Sequence, residues 1–228
     1  MEKLRTPKKR PLNEEFRVLI SLVCESIEAF RHYDLGRIAV SVSASRGEQK
    51  HGVWAYVVPL RHYGGGLERR GIRLGLPGFY RFASEDVDRH QPGAHYIMTF
   101  LVPKFFRLTP EERFETIVHE IYHLHPTLRG DLRRFEGAHR HHGPTPAQYK
   151  AQVRRYMEES RRHSPWLLEH PLLKGDGEGL AELPRRHFRI PRQVFRPALW
   201  GALLAALVFG APRAEAREVT MKVAQPLR

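Results

Sequence analysis

The stretch 109–126 leaves its backbone few choices. Thr109-Pro110-Glu111-Glu112 has the form of a helix start: a side chain that can cap, a proline whose fixed φ suits the first helical position, and a glutamate that can bond back to the cap. No further glycine or proline interrupts the chain until Pro126, so the spacing predicts a helix over 111–125. At about 100° per residue, Phe114, Ile117, Val118, Ile121 and Leu124 share one broad apolar face that has to be buried. His119 and His123 project from roughly the opposite side, one turn apart. This helix must pack into a core on one side and present two imidazoles to a cleft on the other.

His119-Glu120-Ile121-Tyr122-His123 therefore reads as more than two surface histidines. Two neutral ring nitrogens at this spacing can share one metal ion, and Glu120 then lies where it can take a proton from a metal-bound water. A chain with 14 His and 20 Glu among 228 residues meets the pattern by accident about 7% of the time, so the surroundings have to decide. A catalytic zinc site needs a third protein ligand and one open position. The candidates lie downstream: His139, His141 and His142, with Glu136 and Asp131 as carboxylates that could bind or orient a ligand. Thr145-Pro146-Ala147-Gln148 then repeats the helix-start pattern, and no Gly or Pro follows until after His163. The histidine cluster thus sits in the turn into a second helix.

The stretch of about 96–157 resembles the phage-type metallopeptidases, a group of SprT-like zincins. A strand comes first, then Leu108-Thr109-Pro110-Glu111-Glu112 and the His-Glu-x-x-His. Next are Gly130-Asp131-Leu132-Arg133-Arg134-Phe135, and His142-Gly143 before a helix containing Tyr149. The match covers about a quarter of the chain. It implies a small α+β zincin-like domain, with a mixed or antiparallel sheet packed on helices and the motif on the active-site helix. It further implies a Zn2+ held by His119, His123 and His142, with His139 as the alternative third ligand. Glu120 would be the general base of peptide-bond hydrolysis, and a sheet edge beside the cleft would hold extended substrate by strand addition. Some SprT-like proteases cut proteins crosslinked to DNA. Tyr122 or Tyr149 could add oxyanion stabilisation.

Net charge is +13, with basic clusters at Lys8-Lys9-Arg10, Arg133-Arg134, Arg154-Arg155, Arg161-Arg162 and Arg185-Arg186. Such a field attracts polyanions. It supports a rival reading: a basic nucleic-acid-binding protein with a structural zinc, for which His139 and His141 could supply extra ligands, and no peptidase activity. Nucleic acid thus joins a protein or peptide substrate among the expected partners. Cys24 is the single cysteine, which excludes an intrachain disulfide and a Cys-based zinc site; its apolar neighbours suggest a buried thiol. The basic N-terminus leads into no apolar core, so a cytoplasmic protein is expected.

The expected organisation is a basic arm over 1–12, a domain over 13–163, a Pro/Gly/Arg-rich linker over 164–196, and an apolar segment with a charged tail over 197–228. Asn13 is read as the cap of a helix to about residue 32 whose apolar face includes Phe16, Leu19, Ile20, Val23, Ile27 and Phe30. Strand character lies over 37–43, 52–60, 69–74 and 94–103, and Gly64-Gly65-Gly66 is a loop without the Lys-Ser/Thr ending of a phosphate-binding loop. Residues 198–211 are almost wholly apolar but too short for a membrane span, so they are read as a docking or partner-binding segment and no membrane partner is expected.

Overall fold

The computed structural model describes residues 10–44, 53–135 and 145–198. Residues 1–9 of the arm expected over 1–12, the stretch 45–52, the stretch 136–144 with Glu136, His139, His141 and His142, and the segment 199–228 lie outside the described residues. In chain order the elements are α1 (Leu12–Ser26), β1 (Ile38–Ala44), β2 (Ala55–Pro59), β3 (Glu68–Arg73), β4 (Leu76–Ala83), α2 (Glu85–His90), β5 (Tyr96–Val102), α3 (Pro110–His123), α4 (Pro146–His163), α5 (Pro171–Lys174) and β6 (Arg192–Pro197). The class is α+β, with two three-stranded sheets.

The first sheet has the order β1-β5-β2, with β5 parallel to β1 and antiparallel to β2. Period-two alternation splits its side chains between two apolar clusters. Ile38, Val40 and Val42 share a face with Tyr96, Met98, Phe100 and Val102, against the helical layer. Ala39, Ile97 and Val58 face the other way, onto Val87, Ala94 and Phe188. The central strand is buried on both faces, which is why 94–103 reads as an almost unbroken apolar run. In the main core, Phe16 of α1 stacks on Phe100 with ring centroids 4.0 Å apart and meets Phe105 edge-on at 5.2 Å. Cys24 is buried in the same core, and burial, then the charge of Glu25, pushes its thiol up to about 12.

Several expectations change. α1 begins at Leu12 after Pro11 and stops at Ser26, followed by a short 3-10 turn at Glu28–Phe30. Asn13 is not its cap. It is buried in the first turn and clamps three segments: Nδ2 donates to the carbonyls of Val40 and Arg186, both at 2.7 Å, and Oδ1 accepts from the Arg186 N–H. The stretch 164–196 is not a linker either. Leu167, Leu172, Leu173 and Phe188 are buried, so four apolar anchors outweigh a Pro-, Gly- and Arg-rich composition. Arg113 of α3 holds part of this stretch. Its buried guanidinium donates to the carbonyls of Leu172, Leu173 and Gly175, as well as Phe106 and Leu108.

The second sheet, β3-β4-β6, is antiparallel throughout and includes two strands that the sequence pattern hides. Gly78 admits the Phe195 ring: a Cβ there would sit 2.5 Å from its Cζ. Tyr80 lies over Gly71 in the same way and against Phe195 at 5.1 Å. The strands of this sheet make their substantial contacts with one another. Among the described residues, no helix is long and apolar enough to cross a membrane.

Candidate active site on helix α3

The expected start of α3 is present. Thr109 Oγ1 accepts from the Glu112 N–H at 3.3 Å, and Glu112 Oε2 accepts from the Thr109 N–H at 2.8 Å. Two donors at the helix end are thereby satisfied. Phe114, Ile117, Val118 and Ile121 are buried in the main core, which fixes the rotation of the helix about its axis.

That rotation leaves His119 and His123 half-buried, with their Nε2 atoms 3.0 Å apart and ring planes at 75°. A tetrahedral zinc with Zn–N bonds of about 2.0–2.1 Å holds two ligand nitrogens roughly 3.3 Å apart. The pair thus converges at close to chelating distance, and the donor set fits the metal. Glu120, between them in sequence, is 5% exposed, and burial pushes its carboxyl up to about 8. A cation held by the two histidines would act in the opposite sense and favour the carboxylate.

Tyr149 of α4 completes the described site. Its hydroxyl is hydrogen-bonded to His119 Nδ1, and its ring meets the His119 ring edge-on at 5.2 Å. With Nδ1 engaged, Nε2 is the ring nitrogen turned toward His123. Burial first, then the nearby acids Glu120 and Glu115 and the Tyr122 hydroxyl, raise the Tyr149 pKa, so it stays a neutral phenol. Thr145 sets its register: its Oγ1 accepts from the Gln148 N–H at 3.2 Å, and Tyr149 follows in the first turn of α4.

The segment after α3 folds back along the motif. The Arg133 N–H donates to the His123 carbonyl at 2.8 Å, and Leu124 and Leu132 form an isolated bridge. The Arg133 guanidinium lies 4.5 Å above the Tyr122 ring and bonds the Tyr122 carbonyl and the Tyr33 hydroxyl. Tyr122 is buried among Phe135, Tyr149 and Tyr156. It is a packing residue here, whereas Tyr149 reaches a histidine ring.

Asp131 does not orient either histidine. Its buried carboxylate accepts from Arg129 Nε at 2.7 Å and from the Gly64 N–H at 3.0 Å. Burial alone would raise its pKa, but these two bonds and the Arg129 charge outweigh that and hold it below the usual carboxylate value. The expected glycine loop at 64–66 therefore has a structural partner.

Sequence reasoning identifies the motif but misses the Tyr149–His119 bond, although the Thr145-Pro146 start carries the phase information that would place Tyr149 on the inner face of α4. The third-ligand candidates His142 and His139 lie outside the described residues. Among the described residues, no three His, Cys, Asp or Glu side chains come together as a metal-binding group. No protein-family model matches this chain, and no curated protein or solved structure matches it either.

Proposed function

We propose that this chain is a zinc-dependent metallopeptidase related to the SprT-like zincins. The observation that carries the reading is the convergence of His119 Nε2 and His123 Nε2 at 3.0 Å on a helix that buries Glu120 beside them. His119 and His123 would hold the metal, with His142 as the third ligand and His139 as the alternative. Arg133 and Tyr149, which bracket in sequence the stretch that contains them, bond the His123 carbonyl and the His119 ring. When bound, zinc acidifies water and polarises a peptide carbonyl.

The chain's own groups supply the rest. The Glu120 carboxylate takes a proton from the attacking water and delivers it to the leaving amine nitrogen. The Tyr149 hydroxyl fixes the His119 ring through Nδ1. β2 is an edge strand packed beside α3. Leu60 and Trp54 direct their ladder groups toward β5, so by alternation the peptide groups of Ala55 and Val57 face away from it, as strand addition of an extended peptide requires.

Metal analysis of the purified chain should find close to one zinc per molecule. Glu120→Gln should retain that zinc while peptide cleavage falls by roughly a hundredfold to ten-thousandfold. A metal-free protein, or cleavage undiminished in Glu120→Gln, would rule the mechanism out.

A further inference from the structure

The antiparallel sheet β3-β4-β6 gathers positive charge that the fold does not use. Its three strands, Glu68–Arg73, Leu76–Ala83 and Arg192–Pro197, carry six arginines and one acidic residue, Glu68. Arg69, Arg70, Arg73 and Arg196 are exposed, and none of the four pairs with a described carboxylate. Opposite charges across paired strands stabilise a sheet, whereas like charges gathered on it repel. Stability of the sheet alone therefore does not account for this arrangement.

One face of the sheet adds aromatic rings to the charge. Tyr80 and Phe195 are cross-strand partners, and by alternation they share a face with Arg69, Gly71, Arg73 and Gly78. Both rings lean onto the glycines: a Cβ at Gly71 would lie 2.6 Å from Tyr80 Cε2, and one at Gly78 2.5 Å from Phe195 Cζ. The ring centroids are 5.1 Å apart, and both side chains are half-buried and outside the two apolar clusters of the core. The Arg69 guanidinium lies 4.8 Å from the centroid of the Tyr80 ring. Arg73 stands four residues further along β3, about 14 Å away. The two rings thus lie over the row between two cations.

We infer that this face binds single-stranded nucleic acid, with bases stacking on Tyr80 and Phe195 and phosphates meeting Arg69 and Arg73. The arginines alone would suit any polyanion. Aromatic faces set between them select a polyanion whose charges alternate with flat rings. A lipid headgroup offers no ring, and an acidic peptide does not place one at every charge. A duplex keeps its bases stacked on one another, so only its phosphates would reach this face.

The test titrates the full chain into a fluorescent oligothymidylate of about 16 nucleotides and reads its anisotropy. Binding that weakens with salt, and weaker binding of a duplex of the same length, is expected; a purely electrostatic surface would prefer the duplex, whose charge is denser. Tyr80→Leu with Phe195→Leu keeps apolar cover on the glycines but removes the ring faces, so affinity should fall about tenfold or more with circular dichroism unchanged. Arg73→Gln leaves the rings in place and should lower the slope of log affinity against log salt by about 0.7. Arg154→Gln with Arg155→Gln, exposed on α4, removes more charge elsewhere and should weaken binding less than Arg73→Gln does. The three strands contain no histidine, so a chelator should leave the binding unchanged. Equal or tighter binding of the duplex, a salt slope unmoved by Arg73→Gln, or a folded ring variant that binds like the parent overturns the inference. So does an α4 variant that weakens binding as much as Arg73→Gln, which would assign the binding to net charge, or loss of binding on chelation, which would assign it to a metal site. Binding of phosphatidylserine vesicles or polyglutamate with none of the oligonucleotide overturns it as well.

Discussion

The first sheet with its helices and the second sheet with its hairpin are built on opposite principles. Around α3, apolar side chains are buried on both faces of β5, buried polar groups such as Asn13 and Arg113 are bonded to backbone carbonyls, and α3 itself starts at a capping box. In the second sheet, Ile72, Leu74 and Val194 are exposed, arginines alternate with them, and the strands lean mainly on one another. If the pair holds a metal as proposed, its nitrogens would tolerate displacements of only a few tenths of an ångström, and a closely packed, fully bonded scaffold suits that demand. The second sheet carries no such constraint in its packing.

Substitutions can break this comparison. The largest effect on stability should come from Phe16→Ala, which empties a stack in the main core; a loss of about 3–5 kcal/mol is expected by denaturant unfolding. A loss below about 1 kcal/mol would show that the body is no better packed than the hairpin.

Tyr149→Phe comes next. It keeps the ring and deletes the hydroxyl on His119 Nδ1, so zinc affinity in chelator competition should fall about 10–100-fold with the fold intact. Unchanged affinity would mean that α3 alone orients the pair.

A smaller, pH-dependent effect belongs to Asp131. Its folded pKa lies below the ordinary value, so its contribution is complete above the unfolded pKa of about 3.9 and is lost as pH falls through the folded value. Asp131→Asn should therefore lower stability at neutral pH and flatten the decline below about pH 4; a parallel decline in both proteins would assign acid sensitivity to other carboxylates.

The smallest effect should be Ile72→Ala, within about 0.5 kcal/mol of the parent in Tm-derived stability, because its side chain is largely in water already.

What could be read in advance follows the same division. The α3 cap, its apolar face and the Thr145 cap are local patterns, and the structure contains all three. Strands β1, β2 and β5 show as apolar or alternating runs, and β3 overlaps the expected strand over 69–74. β4 and β6 do not, because Pro77, Gly78 and Pro197 break the pattern and the pairing is non-local: Gly78 is required by a ring at Phe195. Asn13 looks like a cap because caps are sequence-local, whereas its partners Val40 and Arg186 are remote. Composition misled most over 164–196, where the buried Leu167, Leu172, Leu173 and Phe188 side chains tie the stretch to the domain and the other residues set the average. At the site, residue types point to the histidine pair and to Glu120, but the hydroxyl on His119 comes from a different helix, 30 positions away.

The Arg133 bond to the His123 carbonyl and the Tyr149 bond to His119 have a thermodynamic consequence. They hold residues on both sides of the stretch 136–144 at the motif helix, one at the His123 backbone and one at the His119 ring. If a donor from that stretch completes the site as proposed, much of the loop-closure entropy would be met when the domain folds. Such a donor would act at a high effective concentration, as a tethered ligand does, and loosening either anchor would dilute it without touching any histidine.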